Sequence, residues 1–286
     1  MTSPTHTLWL GTQRGLLELA HLARTKRELW SQLVGNLVVL LVLASTIGDG
    51  QVSGAPVPSS HLYVAGFISM GVFQTCLISL PQILATERED GTLLRMRAVP
   101  GGVSAYLVSK AVVVTSIAMA NAVVLLVGGV LGAGAPWPKG FGGWITLAWV
   151  LVLGLISVAP LGAAVGAVLP NAREAIALVT LPMLGLLVVS GIFFPVTALP
   201  TALQWTGELF PLKWIAQGVR SALLPDALLP TETGHSWQHL QILVVLSAWT
   251  VAGALLAPRL LRRMARRESG SRLASRREMA QQRVGP

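Results

Sequence analysis

Charge is what this sequence has least of. Only 12% of its 286 residues are Asp, Glu, Lys or Arg, against 53% hydrophobic, roughly half the charged share of a soluble domain. With a mean hydropathy of +0.66, the apolar residues fall in long blocks that a bilayer accommodates and a soluble core does not need. An integral membrane protein follows. Cysteine is nearly missing too. Cys76 stands alone inside an apolar block, which excludes an intrachain disulfide framework and leaves a small packing residue. No G-x-x-x-x-G-K-[ST] stretch occurs, so the chain carries no phosphate-cradling loop. The histidines (His6, His21, His61, His235 and His239) sit at block edges or in loops. That supplies neither a Ser–His pair within a membrane nor a metal-ligand spacing. No acid falls at the centre of an apolar block. Ion-coupled carriers place ionisable groups there, although neutral oxygens also bind sodium, so a secondary carrier is disfavoured rather than excluded.

The charge that is present is unevenly placed. The net charge is +9 and the pI near 11.0. Nine of the 21 basic residues follow Pro258, directly behind the last apolar block. Juxtamembrane arginines read as topology signals and contacts for anionic headgroups; a nucleic-acid tail is the other reading of such a run, and no nucleic-acid partner is expected. The first ~30 residues hold no uninterrupted apolar core, so no cleavable signal peptide is read and the first span is expected to direct its own insertion.

The pattern predicts an all-α fold with six membrane-spanning helices. Trp9 to Glu28 reads as an amphipathic helix, with Trp9, Leu16, Leu19, Ala20 and Ala23 on one side and Arg14, Glu18, His21 and Thr25 on the other; it is expected in the membrane interface, or as a frayed arm. The spans are helix I (Leu29 to Gly48), II (His61 to Leu84), III (Ser104 to Leu131), IV (Trp144 to Leu169), V (Ala175 to Phe194) and VI (His239 to Ala257). Placing both termini in the cytoplasm puts seventeen Lys or Arg on that side and only Lys139, Lys213 and Arg220 on the other, with Lys110 inside helix III; the positive-inside rule then fixes the orientation. The outer segment 195–238 is broken by five prolines yet keeps Phe193, Phe194, Trp205, Phe210, Trp214 and Ile215, which predicts short helices dipping into the outer leaflet. Gly128/Gly132 and Gly162/Gly166 match the small-residue packing spacing and read as ordinary packing.

One stretch stands out. Between helices II and III, Glu87 to Arg97 puts three acids and three arginines within eleven residues. Glu87, Arg88, Glu89 and Asp90 extend helix II, Gly91 breaks it, and Thr92 to Val99 gives about two further turns before Pro100-Gly101-Gly102 reverses the chain. A short stiff helix between two spans can pass a push to both. The same composition also fits a plain topology anchor.

The run Glu87-Arg88-Glu89-Asp90-Gly91-Thr92-Leu93-Leu94-Arg95-Met96-Arg97-Ala98-Val99-Pro100, followed by Tyr106-Leu107 and Lys110, closely resembles the ABC-2 type permease family. So does Ser190-Gly191-Ile192-Phe193-Phe194-Pro195 with Leu199-Pro200, Phe210-Pro211 and Arg220. The resemblance implies one transmembrane domain over 1–286, with a connecting helix within 1–30, a coupling loop at 85–103, an outer re-entrant segment at 195–238 and a basic cytoplasmic tail at 259–286. It implies that Glu87, Arg88 and Glu89 form the cytosolic extension. Gly91, Thr92, Leu93, Leu94, Arg95 and Met96 would then belong to the coupling helix on an ABC-type ATPase. The chain itself would bind no cofactor or metal and do no catalysis; ATP and Mg would sit on two copies of the partner ATPase. A second permease chain, identical or a paralogue, and the lipid bilayer complete the expected partners. Gly101-Gly102 after Pro100 departs from the commonest loop of the family and implies a looser hinge.

The expected function is that of the membrane subunit of an ATP-driven exporter in the plasma membrane, for an amphipathic drug, antibiotic or lipid-like substrate. Met70, Phe73, Gln74 and Gln82 on helix II, with Met183, Leu187 and Phe194 on helix V, are candidate path residues, although ordinary packing explains each as well. A non-transporting sensory or anchoring subunit, and a polysaccharide or ion exporter, are the other readings; aromatics at 6% weigh against the sugar-polymer class, whose paths are aromatic-rich.

Overall fold

The structure is a computed structural model that describes residues 4–25, 27–89, 92–97, 102–168 and 172–256. Apart from a single bridge between Gln51 and Pro58, the described residues form helices, turns and bends. The helices are α1 (Pro4–Thr25), α2 (Arg27–Ile47), α3 (Ser59–Gln74), α4 (Leu80–Glu89), α5 (Thr92–Arg97), α6 (Gly102–Ala133), α7 (Gly140–Val168), α8 (Ala172–Val189), α9 (Thr201–Leu209), α10 (Pro211–Leu223) and α11 (His239–Leu256). Among the described residues, five stretches are long and apolar enough to cross a membrane: Trp30–Ile47, Ser59–Glu87, Ala105–Ala133, Gly140–Gly166 and His239–Leu256. The expected fifth span, α8, shows only a shorter apolar stretch, Val179–Val189.

The Ser59–Glu87 span is the centre of the fold and is mostly buried, whereas α2 and α11 bury little of their surface. It is not a plain α-helix. One widened turn, Thr75–Ser79, joins α3 to α4, with the Leu80 N–H reaching back to the Thr75 carbonyl. Pro81 explains it: a proline has no N–H for the carbonyl four residues earlier and its ring crowds that turn, so the ladder slips by one residue. The widened turn receives α7 at Gly162, where a Cβ would stand 1.8 Å from the Cys76 carbonyl oxygen. Gly162 is therefore a contact point that only glycine permits.

α6 is the long rail of the structure, and α1 and α2 lie along it in succession. Gly11 packs on Ala105 and Val108, Gly15 on Ser109 and Val112, and Leu22 with Val113 and Ile117. Further along, Gly128 packs on Leu37 and Gly132 on Leu41. The two sides of the N-terminal helix meet different surroundings: Arg14 and Glu18 are half-buried toward α6, while Trp9 and Leu16 on the other side are exposed. A hydrophobic pattern records where apolar side chains fall; it does not record that α6 offers Lys110 and Ser109 as polar partners.

Helix V also ends early, at Val189 rather than Phe194. Gly191 takes a left-handed φ of 57°, where a Cβ would crowd Val196 at 2.3 Å, so the backbone turns instead of continuing the helix. In the segment 195–238, α9 and α10 do form, each preceded by a proline or starting with one, together with three short tight helices, Val196–Ala198, Asp226–Thr231 and Thr233–His235. All residues of α10 are buried. It runs antiparallel to the first half of α7, with Ala222 beside Gly143, Gly218 beside Val150 and Ile215 beside Gly154. A helix too short to span thus lies beside the start of one that can.

Candidate functional site

At one end of the bundle three helices meet on one lysine. Lys110 lies in the first third of α6 and is 3% exposed. Its ammonium pairs with Glu18 of α1 and Glu87 of α4. Each acid spends its second oxygen on α6 as well: the Ser109 hydroxyl donates to Glu18 Oε2 at 3.3 Å, and the Tyr106 hydroxyl donates to Glu87 Oε2 at 2.6 Å. Arg14 of α1 stands over the Tyr106 ring, 5.7 Å from its centre, and reaches the Met96 sulphur on α5. Two cations and two carboxylates make the cluster neutral, the condition under which charge is tolerated at low dielectric.

The helix extension falls where the charge pattern put it, α4 continuing through Glu89, and Thr92–Arg97 is helical as α5; the expected break at Gly91 lies outside the described residues. Of the residues assigned to this region, Glu87 is in the cluster, Thr92 receives a hydrogen bond from Arg95 at 3.4 Å, and Met96 meets Arg14. Gly91 and the side chains of Arg88, Glu89, Leu93 and Leu94 lie outside the described residues, as do the tail 259–286 and the Pro100-Gly101 turn. Arg14, Glu18 and Ser109 were not singled out from the sequence. The signal was there in Lys110, since a lysine inside an apolar block demands a counter-charge.

At the opposite end the second motif closes on itself. Arg220 of α10 and Glu232 are 1% and 3% exposed and form a two-pronged pair, Arg220 Nη2 donating to Glu232 Oε2 at 3.0 Å. A third guanidinium nitrogen points to the Gly191 carbonyl at 3.4 Å. The Ser190–Pro195 turn and Arg220 therefore touch. Lys213 is held by Glu208 at 2.9 Å and Thr233 at 2.7 Å; burial pushes its ammonium below the usual lysine range, against the pull of Glu208. Nearer the surface, Lys139 and the Trp237 indole both donate to Asp226, at 3.0 and 2.9 Å. The indole first and then the lysine hold that carboxyl below its ordinary range.

Between the ends, three amides meet: the Asn36 NH2 of α2 faces the carbonyls of Gln74 on α3 and Asn121 on α6, at 3.5 and 3.4 Å. Among the candidate path residues, Phe73 and Met183 are buried in the core, while Met70, Gln74, Gln82, Leu187 and Phe194 are half-buried. The structure brings Met70, Phe73, Met183 and Leu187 together in one apolar cluster.

A long N-terminal helix tied by ions to the end of the second span and the start of the third at one end, and an arginine-locked turn at the other, is what the sequence motifs led to. The family model of the ABC-2 type transporter matches residues 8–224. The chain belongs to the ABC-2 type transporter family. This permease is thus a multi-pass membrane subunit of an ABC transporter, of a family that works with an ABC ATPase subunit and has no ATPase site of its own. The match takes in all residues of the Lys110 cluster and both partners of the Arg220–Gly191 contact, but stops short of Glu232. No curated protein matches the permease.

Proposed function

We propose that the permease is the membrane half of an exporter that moves an uncharged, amphipathic molecule, such as a drug, an antibiotic or a lipid-like compound, out across the plasma membrane. Two permease chains, identical or paralogous, form the path between them, and two ATPase subunits bind beneath. ATP and Mg are held by those ATPase subunits, not by this chain. Both termini and the Lys110 end face the cytoplasm, and the α9–α10 segment lies in the outer leaflet.

The observation that carries this reading is the ion cluster at Lys110, which ties α4 and α6 to α1, with α5 beside it where Met96 meets Arg14 of α1. Glu87, Arg88 and Glu89 extend the second span toward the ATPase, and Gly91, Thr92, Leu93, Leu94, Arg95 and Met96 form the surface it pushes on. Closure of the ATPase pair then tilts α3–α4 against α6 as rigid bodies. An apolar cargo fits the absence of ionisable residues in the middle of the described spans, where a charged cargo would call for countercharges.

The experiment is reconstitution of the permease with its ATPase subunit in proteoliposomes. ATP-dependent, vanadate-sensitive uptake of amphipathic dyes into inverted vesicles is expected. Steady ATP hydrolysis with no movement across a broad amphiphile panel would favour a sensory or anchoring subunit, and vanadate-indifferent transport would point to a secondary carrier.

A further inference from the structure

Lys110 has one more carboxylate than it needs. A buried lysine is neutralised by one acid, and Glu18 on α1 already supplies it from a helix packed on α6 through Gly11 and Gly15. Those glycine contacts are so close that α1 and the first turns of α6 form one body. Glu87 comes from a different body, the α4 arm that precedes α5 in the chain. Both acids are about one-fifth exposed, so either carboxylate has a way to water that Lys110 does not, and what sets Glu87 apart is the element that carries it.

We propose that Lys110 is the positioning residue of a releasable joint, in which Glu18 is the standing partner and Glu87 the partner that lets go. The inference rests on the exporter reading of this end of the molecule. When the ATPase displaces α5, the α4 arm moves and Glu87 leaves Lys110 and the Tyr106 hydroxyl for solvent. Lys110 remains paired with Glu18, so no bare ammonium is left at low dielectric, which would otherwise bar the movement. With Glu18 in place, the joint opens and closes at low cost; without it, opening strands Lys110 and the joint stays shut. Arg14, between Tyr106 and the Met96 sulphur, keeps α5 in register with the same body. Two acids on two elements thus have different tasks although they touch the same atom.

The two neutral variants separate these tasks in the reconstituted complex. Glu87→Gln frees the arm: ATP hydrolysis continues, and substrate moved per ATP falls by about 5-fold or more, the size of an ordinary coupling between sites. Glu18→Gln locks the arm: ATP hydrolysis and transport fall together by a similar factor, with substrate per ATP unchanged. Lys110→Arg keeps the charge and restores coupling in part. If Glu87→Gln fails to assemble, Tyr106→Phe removes only the hydroxyl on Glu87 and gives a weaker form of the same uncoupling. Identical behaviour of the two glutamine variants, or wild-type substrate per ATP with wild-type hydrolysis in both, overturns the proposal. If the wild-type complex hydrolyses ATP but moves nothing, the exporter reading fails by itself. The joint is then judged on hydrolysis alone, where Glu87→Gln must not lower the rate and Glu18→Gln must.

Discussion

Arg220→Met is the substitution whose cost the structure sets most clearly. The guanidinium and the Glu232 carboxylate are almost wholly withdrawn from solvent, joined through two nitrogens, with the third directed at the Gly191 carbonyl. Methionine keeps much of the stem volume, so little cavity forms, but it leaves Glu232 charged and unpaired. Removing one partner of a buried pair costs about 3–5 kcal/mol, whereas replacing both by apolar groups of similar size is often neutral. Glu232→Gln should cost a similar amount, since it strands the cation instead. The double variant Arg220→Met/Glu232→Leu should therefore lie within about 1–2 kcal/mol of wild type, giving a coupling energy of several kcal/mol in a double-mutant cycle. Arg220→Lys keeps the charge but not the fork and should fall between. The assay is reversible unfolding of the purified permease in mixed micelles, with limited proteolysis of residues 195–238 as a local readout. Single variants within about 1 kcal/mol of wild type, or a double variant as unstable as the sum of the singles, would refute the claim that this pair is mutually neutralised in a dry site.

Three further outcomes follow from the geometry. Leu93→Asp with Met96→Asp should detach or uncouple the ATPase while leaving membrane insertion intact, because both lie outside the five apolar spans; normal co-purification and transport would remove α5 from the coupling path. Gly162→Val should push α7 off the widened turn at Cys76 and cost about 1–3 kcal/mol by overpacking, read by thermal unfolding, whereas Gly142→Ala, in open space, should cost far less. Asp226 has its folded pKa lowered by Trp237 and Lys139, so its contribution to stability is present above the ordinary carboxylate range and is lost as pH falls through the lowered value. Asp226→Asn at neutral pH should then reproduce the effect of acid, seen as faster hydrogen exchange around Lys139 and Trp237.

Much of this molecule was legible because a bilayer imposes simple rules. Apolar blocks of sufficient length located α2, α3–α4, α6, α7 and α11, since a spanning segment must satisfy its backbone internally and present apolar side chains. The Glu87–Arg97 pattern located the extension of α4 through Glu89 and the helical turns of α5, because charged helix formers stand on both sides of Gly91. What failed was local and has physical causes. Helix V was read through to Phe194 because Ser190 to Phe194 is apolar, and hydropathy is blind to a left-handed glycine capped by Arg220. The helix II irregularity was not foreseen, although Pro81 was its visible cause.

The sequence by itself determined that the chain is a membrane protein, roughly where it crosses, which family its motifs resemble, and that its one conspicuous charged loop lies between two spans. These are one-dimensional properties: length of apolar runs, spacing of charges, position of glycine and proline. Only the tertiary structure decided which charges neutralise each other. Lys110 meets Glu18 from ninety-two positions away and Glu87 from twenty-three, and Arg220 reaches back to Gly191. Nothing in the local pattern specifies such pairings; they arise because α1 packs on α6 through its glycines and α10 folds back along α7, which brings distant charges to sites where none could remain alone.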